Sequence, residues 1–143
     1  MKATLFEALA CCLGMIFAAQ PAATQSAGRI TKAELGTGAT DRYEIVNPAT
    51  EFTPDTAKIF CVWKAEGILK GTSVRGVWIA VDVGIVAPPN YKIDEAEVRL
   101  PVMTEGSMSL SKPTNGFPVG KYRLELYILK ELAKTIPFTV KAK

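Results

Sequence analysis

The sequence predicts an all-β domain, two antiparallel sheets packed face to face, with about seven or eight short strands and no disulfide. Three observations carry this. Beyond residue 28 the apolar residues recur mostly with a period of two, the repeat of a pleated strand. Turn-forming clusters of glycine, proline, asparagine and aspartate break the chain at short intervals, as in a sandwich. Of the three cysteines only Cys61 lies beyond the leading segment, so the body of the chain cannot bridge itself.

Residues 1–28 read as an export signal. Lys2 opens the chain and an uncharged, mostly apolar stretch follows from Ala8 to Ala19, too short to span a bilayer as a helix. Ala22, Ala23, Ser26, Ala27 and Gly28 then supply the small residues that a signal peptidase requires. Glu7 offsets Lys2, and Ser26 with Gly28 is one of few suitable cleavage registers. Cys11 has Ala8 three positions earlier, Cys12 has Cys11 directly before it, and the apolar run ahead of both is very short, which favours plain cleavage over a lipid anchor or a retained helix. The expected product is residues 29–143 as a single periplasmic or secreted domain. A domain of that size buries roughly 65% of its unfolded surface and needs no disulfide. A lone thiol in an oxidising compartment either packs as a small hydrophobe or pairs between chains; Cys61 is read as buried.

Arg29 to Leu35 alternates, with Ile30, Ala33 and Leu35 approximating one face, and Gly36-Thr37-Gly38 is expected to end it. Tyr43 to Val46 is a second short strand, stopped by Asn47-Pro48, and Thr53-Pro54-Asp55 is a turn. Ala57 to Trp63 and Val74 to Val81 are apolar runs of strand length, rich in aromatic and β-branched residues. Joined by a glycine-bearing link, Lys64 to Gly71, they are expected to pair as a central antiparallel couple. Ala87-Pro88-Pro89-Asn90-Tyr91 is a loop, because adjacent prolines donate no ladder hydrogen bonds. Ile93 to Leu100 alternates, although two helical turns through Ile93, Ala96 and Leu100 would also fit. Ser107 to Leu110 is a short strand and Pro113-Thr114-Asn115-Gly116 the next turn. Tyr122 to Ile128 and Lys134 to Val140 form a hairpin with one wet face.

Pro118-Val119-Gly120-Lys121-Tyr122-Arg123-Leu124 resembles the tyrosine corner before strand F of immunoglobulin-like domains. By that resemblance Cys61 takes the core cysteine position of strand B and Trp78 the core tryptophan of strand C. Leu124 stands where the second bridging cysteine would be, which implies an apolar Cys61–Leu124 contact in place of a bridge. The stretch from Ser109 to Val140 also resembles a group of exported bacterial proteins, which implies location and fold and adds no chemistry.

Without histidine the chain has no Ser-His-Asp or Cys-His arrangement and lacks the usual ligand for zinc and blue-copper sites. The net charge of +3 comes from scattered lysines, and the tail at Lys134, Lys141 and Lys143 reads as solubility, not nucleic-acid binding. Asp94, Glu95 and Glu97 lack the ligand ladder of a calcium loop, and alternation turns Asp94 away from the other two. Met103 and Met108 lack a third ligand for copper(I) and read as core or rim. Trp63 and Trp78 sit in apolar strands and read as core before carbohydrate platform. Tyr91 and Phe117, aromatic residues in proline-bearing loops, are the candidate binding residues, with capping of the core as the alternative role for either.

The expectation is therefore an exported, non-catalytic domain that binds a protein or cell-envelope component, with no cofactor, metal, nucleic acid or transmembrane span after processing. Contact would run through the loops or through a sheet edge by strand addition. Alternatives are a structural or assembly subunit of the envelope and a carboxylate hydrolase using Glu95 and Glu97.

Overall fold

The computed structural model describes residues 28–69, 71–99 and 104–143. The expected signal segment lies outside these residues except for Gly28, as does Met103. Nine strands follow in order: β1 Arg29–Ala39, β2 Ile45–Pro48, β3 Glu51–Phe52, β4 Lys58–Glu66, β5 Ser73–Asp82, β6 Tyr91–Arg99, β7 Glu105–Ser111, β8 Gly120–Ile128 and β9 Glu131–Val140. They form a four-stranded sheet ordered β2-β1-β4-β7 and a five-stranded sheet ordered β3-β9-β8-β5-β6. This is the two-sheet sandwich read from the sequence, and β6 is a strand, not two helical turns.

The two long apolar runs do not pair with each other. β4 sits between β1 and β7, and β5 between β8 and β6, in opposite sheets. Each run is apolar on both faces because it is an interior strand of its own sheet. The inner faces of Ile59, Cys61 and Trp63 and of Val74, Trp78 and Ala80 form the core with Leu124, Leu126 and Phe138. On the outer side Val77 and Ile79 are only 6% and 7% exposed, although no sheet covers them. Their rows hold charged stems: Arg75 pairs with Glu95 at 3.2 Å and lies 4.5 Å over the Tyr127 ring, and Arg123 pairs with Glu125 at 3.7 Å.

Three further differences have local causes. β1 runs through Gly36 and Gly38, which face Pro48 and Val46 of β2. A Cβ at Gly36 would lie 2.5 Å from the Val46 carbonyl oxygen, so this glycine admits close backbone approach and does not end the strand. β2 begins at Ile45 and continues through Asn47-Pro48, with Asn47 at φ 50° and its amide donating to the Thr37 hydroxyl at 3.2 Å. β3 was not expected; it runs parallel to the end of β9, held where Lys141 N–H donates to Phe52 O and the Lys141 side chain meets Glu51 at 2.6 Å. Lys143 likewise pairs with Asp55, so two of the three tail lysines are neutralised locally.

The 113–116 turn closes with Gly116 N–H donating to Pro113 O at 2.9 Å. The β8–β9 hairpin turns at Leu129 and Lys130, with Leu129 at φ 56°.

Candidate functional site

Two loops rise at one end of the sandwich, 83–90 between β5 and β6, and 112–119 between β7 and β8. The first contains Val83-Gly84-Ile85-Val86-Ala87-Pro88-Pro89, seven residues without a polar side chain. The Asp82 carboxylate accepts from Gly84 N–H at 3.1 Å, and Gly84 turns the chain at φ 66°. At the far end Asn90, at φ 57°, returns the chain by donating its N–H to Val81 O, while its side-chain oxygen accepts from Arg123 at 2.7 Å. The tip between them leaves Ile85 fully exposed and Val86 largely so.

The second loop is set by the tyrosine corner. The Tyr122 hydroxyl donates to Pro118 O at 2.5 Å, four residues upstream, and burial pushes this phenol up to about 12. Its ring stacks on Phe138 at 5.1 Å. Gly120 is required there: a Cβ would lie 2.1 Å from Asp82 O, and φ is 154°. Leu124, two residues on, is buried in the same core as Cys61, whose thiol is pushed up to about 12 by burial.

Between the loops lies a groove of about 450 Å³, within the range of small-ligand and peptide sites. Val86, Pro88, Tyr91 and Ile93 line one side, Pro113, Asn115, Phe117 and Pro118 the other. Tyr91 and Phe117 thus meet at one site, in unequal roles. Tyr91 stands on the rim, 51% exposed, while Phe117 is 2% exposed and forms part of the floor. Of the two roles open to it, surface contact or core cap, Phe117 takes the second. Its N–H donates to Pro54 O at 2.9 Å, which draws the residue inward over the end of the core. Ile85, Val86 and the exposed Val119 were not singled out from the sequence, although an unbroken apolar run inside a proline-bearing loop was the available signal.

The other sequence candidates lie elsewhere. Trp63 and Trp78 are wholly buried, and neither indole N–H has a hydrogen-bond partner among the described residues, so packing alone holds them. Met108 is buried in the core. Glu95 is tied to Arg75 and Lys92 on the open outer face of the five-stranded sheet. The Asp94 carboxylate accepts from Glu95 N–H at 2.8 Å.

No protein-family profile matches the chain. No curated protein matches it in sequence. In three dimensions it is similar to the crystal structure of an immunoglobulin-like protein from Pseudomonas aeruginosa. The TM-score is 0.55 at 20% identity, over 82% of this chain and 99% of that one. The fold is immunoglobulin-like: β4, β5, β7, β8 and β9 take the places of strands B, C, E, F and G, and β6 adds a C′-type strand beside β5.

Proposed function

We propose that this chain is an exported, non-catalytic immunoglobulin-like domain of a bacterial cell that binds a protein or another envelope component through the groove between loops 83–90 and 112–119. One observation carries the reading: Ile85 and Val86 are held out in water beside a mainly apolar groove. Covering each side chain is worth about 1.5–3 kcal/mol, a gain the folded chain leaves unused. The sandwich fixes both loop bases, by Asp82 and Asn90 on one and the Tyr122 corner on the other, so the groove is formed before a partner arrives. The non-catalytic reading is supported by the position of Glu95, ion-paired on an open face away from the groove. Export rests on the composition of residues 1–28.

A photo-crosslinking side chain at Val86, compared with one at the exposed Leu132 by the β8–β9 turn, tests the site in intact cells. The expected outcome is a discrete envelope adduct from Val86, cut about tenfold by Ile85→Asp with Tyr91→Ala. Equal adduct yields from the two positions would overturn it. N-terminal sequencing of the same preparation tests export, which requires a start near Arg29; a start at Met1 refutes it.

A further inference from the structure

Four strands end the two sheets, and three of them resist further pairing. β2 contains Pro48 and the left-handed Asn47, and β3 is two residues long. β6 carries a bulge at Ile93, where Trp78 faces Asp94 and Ile79 faces Lys92, and it presents Lys92, Glu95, Glu97 and Arg99. β7 has none of these devices. Its seven residues pair with β4 in unbroken register from Glu105 to Ser111, without proline or lysine, and its outward side chains after Glu105 are serines. Among the described residues nothing pairs with its other edge.

The sheets are also unequal. Met108 of β7 fills a notch at Gly76 of β5, where a Cβ would lie 2.0 Å from the methionine sulfur. β7 therefore lies over β5, and β6, one strand farther out, overhangs it. Burial records the overhang: Val74, Trp78 and Ala80 on the inner face of β5 are buried, whereas Ile93, Ala96 and Val98 of β6 are half-buried. Asp94 faces Trp78 in register, so it shares this inner side, and its exposed carboxylate has no basic partner among the described residues.

We infer that one extended strand of a partner protein adds to the free edge of β7, covers the inner face of β6 with alternate apolar side chains, and sets a lysine or arginine against Asp94. Backbone pairing along β7 supplies the affinity and the side chains over β6 the choice of sequence. Asp94 rejects an uncharged strand, because covering a lone carboxylate is costly. A second copy joined edge to edge through β7 is disfavoured, since its own overhanging β6 would enter the same space. Ile93 also lines the groove, so the strand runs on into it; the inference in that respect rests on the groove as the binding site.

The test uses the full chain and a synthetic peptide, Val-Thr-Lys-Thr-Val-Thr-Val, with a second peptide carrying glutamate for the lysine. Binding is followed by fluorescence anisotropy and by amide hydrogen exchange. The lysine peptide is expected to bind, to slow exchange of β7 amides about tenfold or more and to leave the outer edge of β6 unchanged. Asp94→Lys, an exposed change, is expected to weaken the lysine peptide about tenfold and to admit the glutamate peptide. Binding without protection of β7, or equal affinities for both peptides in both proteins, overturns the inference. No binding at about 1 mM, with the Val86 adduct intact, overturns strand addition and leaves the groove reading standing. Loss of both removes both.

Discussion

β6 and β7 end their sheets on the same side of the sandwich, yet they are built on different plans. β6 keeps all its charges but Asp94 on the outside and has a bulge at Ile93, and its inner apolar residues are only half-covered. β7 is regular and polar but uncharged along its middle, and its inner residues Gly106, Met108 and Leu110 are buried. The difference teaches that an edge strand can be guarded by its own chemistry or supported by its packing. Here each edge has one of the two. β7 is held from inside and open at its rim; β6 is closed at its rim and open on the inside.

The largest expected effect tests the internal support. A Cβ at Gly106 would lie 2.3 Å from the Trp63 ring, which is boxed in on all sides. Gly106→Val is expected to cost about 3 kcal/mol, whereas Ala96→Val on β6 stays under about 1 kcal/mol. Urea denaturation midpoints measure both, and similar losses at the two sites would erase the contrast.

A smaller effect concerns pH. Cys61 lies in β4 beside β7, and burial raises its thiol from 9.0 to about 12. The unfolded chain therefore releases this proton first, so stability is full below about pH 9 and falls as pH rises toward 12. Tyr122, raised from 10.0 to about 12, adds to the fall above pH 10. Cys61→Ala is expected to flatten the curve between pH 9 and 10 while lowering stability at neutral pH by about 1 kcal/mol. Denaturation midpoints across that interval check the slope; a wild type that holds its midpoint to pH 11 contradicts it.

The smallest effect belongs to the charged rim of β6. Arg75 and Glu95 are partly exposed and paired at 3.2 Å. Arg75→Gln is expected to lower stability by no more than about 1 kcal/mol. Screening at about 1 M salt should remove most of that difference. Thermal unfolding at low and high salt gives the answer, and a loss insensitive to salt would assign Arg75 a packing role over Tyr127.

Much of this architecture is legible in local sequence because strand alternation is a local property. Tyr122 to Ile128 and Lys134 to Val140 announce their inward faces, and Gly120 two residues before Tyr122 marks the corner. Pairing is not local. Ala57–Trp63 and Val74–Val81 suit a hairpin couple as well as two interior strands of opposite sheets, since both arrangements bury both faces. Phe117 illustrates the same limit at the candidate site: a loop aromatic flanked by Gly116 and Pro118 faces solvent or core according to whether Pro54 is there to receive its N–H.

The chain by itself determined a β-sandwich core without a sulfur bridge, because side-chain period, turn chemistry and cysteine count act within a few residues of each other. Tertiary structure alone decided that five strands would face four, that Val86, Tyr91 and Phe117 would border one groove, and that β7 would keep an unguarded edge. Those outcomes depend on which strands meet across about 10 Å of packed interior, a distance over which no local pattern in the sequence acts.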